Sequence, residues 1–162
     1  MDAYGRIRED VQQVLDGLDA QFIGARLDAD ANSIAWLIWH LTRVQDDHMA
    51  AAFGVEQVWT AQDWAEKFAL SFPVADHGYG HTSAQVQELS GIGADLLAGY
   101  HEATWRQTVA LVGQVTAEDL DRIVDTLWTP AVTLGVRLVS VLDDNLQHVG
   151  QAAFIRGCLE RA

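Results

Sequence analysis

The stretch "SIAWLIWHLTRVQDDHM", residues 33–49, reads as a helix buried on most of its faces, yet it carries His40, Asp47 and His48. A buried polar group without a partner costs about 1–3 kcal/mol. These side chains therefore either face water or hold something. Asn32 or Ser33 is placed to cap the helix, and Gly54 to end it.

A second stretch bears on what they hold. In "LDDNLQHVGQ", residues 142–151, Asp144 and His148 stand four residues apart, one turn along the same helical face. Gln147 and Gln151 flank them, and Gly150 is expected to admit a neighbouring helix closely. A carboxylate and an imidazole at this spacing can converge on one ion, but a firm site needs a third ligand. Around the first helix, at about 100° per residue, Trp36, Val44 and Asp47 lie within about 40° of His40, and His48 lies about 80° away. If the two faces meet, His40, Asp144 and His148 form a set with open positions that suits zinc, nickel or iron. Spacing leaves the plainer reading open. An Asp–His pair at this interval also makes an ordinary surface hydrogen bond, and His40 alone reads as a satisfied core histidine. His48, beside Asp47, suits the negative end of its helix.

Working outward, four segments have helical periodicity. The first spans residues 2–20, with Ile7, Val11, Val14, Leu15 and Leu18 on one face. The second runs from 33 to 53. The third lies within 91–115, with Leu96, Leu97, Tyr100, Trp105, Val109 and Val112 as its apolar positions, and His101 half-exposed. The fourth runs from about Thr133 to Leu159; its β-branched start, "VTLGVRLVSVL", reads as helix because the run is too long for a strand. "TSAQVQELS" adds a short helix from Thr82 or Ser83. The expected fold is all-α: a four-helix bundle, one domain over residues 1–162, with a long crossover, residues 54–82, between helices 2 and 3. That crossover holds Trp59, Trp64, Phe68, Phe72 and Tyr79, and reads as a packed cover over one end of the bundle. The six tryptophans read mostly as core.

Composition excludes several functions. A formal net charge of -13 disfavours contact with nucleic acid or an anionic membrane. The longest apolar run, Ile34 to Trp39, is far short of a membrane span. No secretory leader is evident, and the single Cys158 permits no internal disulfide, so a reducing cytoplasm is expected. Cys158 has no His or Asp beside it to activate it as a nucleophile. There is no H-E-x-x-H, no E-x-x-H, no phosphate-cradling loop and no G-x-S-x-G elbow. "HGYGH", residues 77–81, reads as a turn or substrate-contacting lid ahead of a direct metal role for its two imidazoles.

The stretch 33–49, the crossover segments "EQVWTAQDWAEKFAL" and "GYGHT", and the ending "TLGVRLVSVLDDNLQHVGQAAFIRG" together resemble the DinB/YfiT-like superfamily. More closely, they resemble its actinobacterial branch, which includes mycothiol-dependent S-transferases. The resemblance implies a four-helix bundle, often a homodimer, with a metal site whose ligands map onto His40, in "HLTR", and onto Asp144 and His148, in "DNLQHVGQ". Many members carry His at the position of Asp144; related mycothiol-dependent maleylpyruvate isomerases carry a carboxylate there. It further implies a metal-dependent thiol S-transferase, with zinc or nickel as metal, mycothiol as co-substrate and an electrophilic small molecule as partner. Lys67 is the only lysine beside an Arg-rich complement, which favours a GC-rich actinobacterial source and hence mycothiol. Asp47, His48, Gln147 and Gln151 are the expected supporting residues, His48 also as a reserve ligand, and Arg43, Tyr79 and His81 the expected substrate contacts. The alternatives are a non-catalytic DinB-like binding or stress protein, and a thiol-dependent isomerase.

Overall fold

The first long helix stops five residues earlier than its periodicity predicts. In the computed structural model, which describes residues 1–161, α1 spans Asp2–Leu15 and ends where Gly17 takes a left-handed φ of 61°. Only glycine adopts that turn without strain. Asp19 then caps a single turn, α2 (Ala20–Ile23).

The stretch at 33–49 is helical throughout, as α3 (Ile34–Phe53). Ser33 accepts a hydrogen bond from the Trp36 amide at 3.2 Å, a cap worth roughly 1 kcal/mol, and Gly54 closes the other end at φ 67°. The crossover is folded. It forms two short helices, α4 (Val58–Ala61) and α5 (Trp64–Phe68), tied to α3 because the Asp46 carboxylate accepts the Val58 and Trp59 amides at 2.8 and 2.7 Å. Trp59 and Phe68 pack around Tyr100, and Phe72 against Trp39. The crossover thus runs along the flank of α3 and its neighbour as well as toward the bundle end. α6 (Ser83–Glu88) follows, opened by a capping box between Thr82 and Gln85.

α7 (Ala94–Val112) and α8 (Leu134–Leu159) complete the long elements. α3 packs on α7 and α8, and α1 packs on the same two from the other side. A small hairpin precedes α8: β1 (Ile123–Asp125) pairs antiparallel with β2 (Val132–Thr133), Ile123 opposite Thr133. The first residues of the β-branched run are therefore strand, and helix begins at Leu134. No described helix is long and apolar enough to cross a membrane.

One expectation about the core is corrected. α7 buries Leu97, Tyr100, His101, Thr104 and Thr108, so His101 is 2% exposed and not half-exposed. The face is polar because its neighbours are: Gln45 donates to Thr108 at 2.8 Å and accepts from Asn145. Trp128, at the hairpin tip, is 67% exposed and lies outside the core that holds Trp36, Trp39 and Trp59. Gly150 also differs from expectation, since a Cβ there would meet nothing within 4 Å. It faces a groove between α1 and α8, not a closely packed helix.

Candidate metal centre

α3 and α8 cross so that His40 meets Asp144 and His148. One ligand atom from each lies within 4.8 Å of the others. To reach bonds of about 2 Å, the three need to close in by roughly 1 Å, which side-chain rotation supplies.

The hydrogen bonds decide which atoms are free. His40 Nδ1 lies against the carbonyl oxygen of His77, which can only accept, so Nδ1 carries the proton and Nε2 keeps its lone pair. His148 Nδ1 donates to the Gln151 side-chain oxygen at 2.9 Å, which likewise leaves Nε2 free. That Nε2 is 3.6 Å from Asp144 Oδ1, close enough for attraction and too far for a good hydrogen bond. Asp144 Oδ2 is buried with no partner at all. A shielded carboxylate oxygen without a partner, on a residue whose ligand atom lies within 4.8 Å of those of two histidines, is costly unless something such as a cation satisfies it. The donor set fits a divalent metal.

Electrostatics agree for His40. Burial drives its pKa down to about 4, against the His77 carbonyl and Asp144, which favour the cation. The ring is thus neutral at pH 7, as a ligand must be. For His148, burial also pulls downward, but Asp144 and Gln151 outweigh it and the net shift is upward.

The walls are aromatic. Trp36 stacks on His40 and meets His148 edge-on, at ring centroids 4.5 and 6.3 Å. Gly78, at φ 96°, lies so close that a Cβ there would fall 2.8 Å from His40 Nδ1.

The family model described as mycothiol S-transferase matches residues 3–160. The chain belongs to the mycothiol S-transferase family. Among solved structures, a conserved protein from Enterococcus faecalis is similar at a TM-score of 0.88 and 31% identity, covering 96% of this chain and 91% of that one. No protein of curated function matches the chain.

Within this mycothiol S-transferase family member, the other site residues named from sequence are scattered. Gln151 touches His148, whereas Gln147 donates to Asp143 at 2.8 Å on the surface. Asp47 accepts from Gln57 at 2.8 Å and faces His48 at 3.2 Å, two turns along α3 from His40. His48 is therefore outside the cluster that holds His40.

Arg43, expected at the substrate, is fully buried. It donates to the Asp76 carbonyl, Gln57 and Tyr100 at 3.1, 2.9 and 3.2 Å, and pairs with Asp46 at 3.7 Å. That makes it a buried hub of the fold. His81 is engaged at both ring nitrogens, to Trp36 and Asp76, which leaves it no free polar atom. Tyr79 is 88% exposed.

Sequence reasoning missed His77 and Gly78 as neighbours of His40. They act through a backbone carbonyl and the lack of a side chain, and side-chain patterns do not report either.

Proposed function

We propose that this chain is a metal-dependent thiol S-transferase, which joins mycothiol to electrophilic small molecules. His40, Asp144 and His148 would hold the metal, zinc or nickel by the nature of the donors. The observation that carries this reading is the approach of one ligand atom each from His40, Asp144 and His148 to within 4.8 Å of one another, beside a buried and unpartnered Asp144 Oδ2, in a chain of the mycothiol S-transferase family. The long helices α1, α3, α7 and α8 would form the family's four-helix bundle as one domain, paired as a homodimer and working in a reducing cytoplasm.

A bound divalent cation would supply the Lewis acidity that keeps a thiol, normally of pKa about 8.5, deprotonated at neutral pH. The protein's own residues do the rest. His40 stays neutral, so protons do not compete for its lone pair near pH 7. Asp144 brings negative charge to the site, and Gln151 fixes the ring of His148. Trp36 and Gly78 pack directly against His40. In the reaction, the thiol loses its proton to solvent and its sulfur bonds to the electrophilic carbon. The displaced electron pair departs with the leaving group, or rests on the neighbouring atom and is then protonated.

The test incubates metal-loaded protein with mycothiol and a bimane electrophile and follows the thioether. Turnover that requires metal and is lost in His148→Ala supports the proposal. Ligand binding without conjugation across a panel of thiols and electrophiles would replace it with a non-catalytic binding role.

A further inference from the structure

Residues 76–81 make a closed circuit around His40. The His77 carbonyl takes the proton of His40 Nδ1. Asp76 fixes the segment from within: its Oδ1 accepts the Gly78 amide at 2.7 Å and His81 Nε2–H at 3.1 Å. Its backbone carbonyl accepts from Arg43 at 3.1 Å, which anchors the segment to the core. His81 then accepts Trp36 Nε1–H on Nδ1 at 3.0 Å. Trp36 lies on the face of His40, with ring planes 14° apart, and so returns the circuit to its start. His81 is itself packed between Trp39 and Phe72, at centroids 5.7 and 4.6 Å.

The arrangement matters because an imidazole has two faults as a ligand. It can turn over about its Cβ–Cγ bond, and it can carry its proton on either nitrogen. A carbonyl held rigidly at Nδ1 removes both freedoms, provided the carbonyl cannot drift. We infer that Asp76 and His81 are positioning residues that hold the His77 carbonyl and Trp36 in place, and so keep His40 Nε2 aimed at Asp144 and His148. This rests on the proposed metal site but can be judged without metal.

The experiment uses full-length protein. In its metal-free form, long-range proton–nitrogen correlation spectra read the tautomer of His40; cobalt(II) titration, followed by visible absorption and by competition with a chromophoric chelator, reads affinity. Wild type is expected to show a single Nδ1–H tautomer. In Asp76→Ala that tautomer gives way to an exchanging mixture and cobalt affinity falls roughly 10- to 100-fold, the range seen when a ligand's supporting partner is lost. Asp76→Asn retains an oxygen that accepts the same two N–H groups and keeps the wild-type tautomer, with affinity within a few-fold.

Should Asp76→Ala fail to fold, His81→Leu cuts the circuit from the other end and is expected to give the same two changes. A folded Asp76→Ala or His81→Leu protein with an unchanged His40 tautomer and affinity overturns the inference. If wild type binds no metal, the functional reading fails, and the tautomer alone decides this one.

Discussion

Trp36 lies flat against His40, ring centroids 4.5 Å apart and planes 14° from parallel. An indole so close to a ligand is a reporter for the site. Cobalt(II) or nickel(II) uptake is expected to quench the fluorescence of Trp36. Titration of wild type against Trp36→Phe checks this: most of the quenching should vanish in the variant, although the other tryptophans remain.

Gly78 is the tightest point of the site. Alanine there would meet His40 Nδ1 at 2.8 Å and Trp39 at 3.0 Å while holding a φ of 96° that side chains avoid. Gly78→Ala should therefore cost about 1–3 kcal/mol in urea unfolding. It should also weaken metal binding, because the His77 carbonyl moves with it. A distant left-handed glycine, Gly54, has nothing within 4 Å of its Cβ position, so Gly54→Ala should cost stability without touching metal affinity.

Arg43 and Asp46 form a fully buried pair at 3.7 Å, shared with Tyr100, whose hydroxyl donates to Asp46 at 2.8 Å. Burial pushes the Asp46 carboxyl up, opposed by the Val58 and Trp59 amides, Tyr100 and Arg43. Arg43→Met strips the counter-charge and should destabilise by about 3–5 kcal/mol. Adding Asp46→Asn should recover part of that loss. A double-mutant cycle in denaturant measures both.

Burial holds His101 near a pKa of about 4, with Glu102 opposing and Arg8 reinforcing the shift. The unfolded chain, with an ordinary value near 6.5, takes up the proton first. Between those values the unfolded state binds more protons, so stability falls as pH drops from about 6.5 to about 4 and then levels. The full loss from this residue is on the order of 3 kcal/mol. Denaturation of His101→Leu across that window should show a shallower slope than wild type.

The helices were legible where periodicity, caps and glycines agree, as at Ser33, Gly54 and Thr133. The meeting of His40 with Asp144 and His148 was legible only with the family resemblance, since the two helical faces alone left a surface hydrogen bond and a core histidine as the plainer reading. The buried state of His101 was not. Its face is polar in sequence, and only the Gln45–Asn145 hydrogen bond from other helices reveals that the core there is polar. Gly17 ended α1 early because one left-handed residue outweighs a continuing apolar pattern. The internal engagement of Arg43 and His81 was not legible for a related reason: their partners include a backbone carbonyl at Asp76 and an indole N–H at Trp36, joined across the fold.

Elemental analysis of untagged protein, purified without chelator, tests the metal centre most directly. About one zinc or nickel per chain is expected, retained in His48→Ala and lost in His40→Ala, Asp144→Ala and His148→Ala. Wild type that holds no metal after anaerobic reconstitution, or metal that survives removal of His148, would contradict the account.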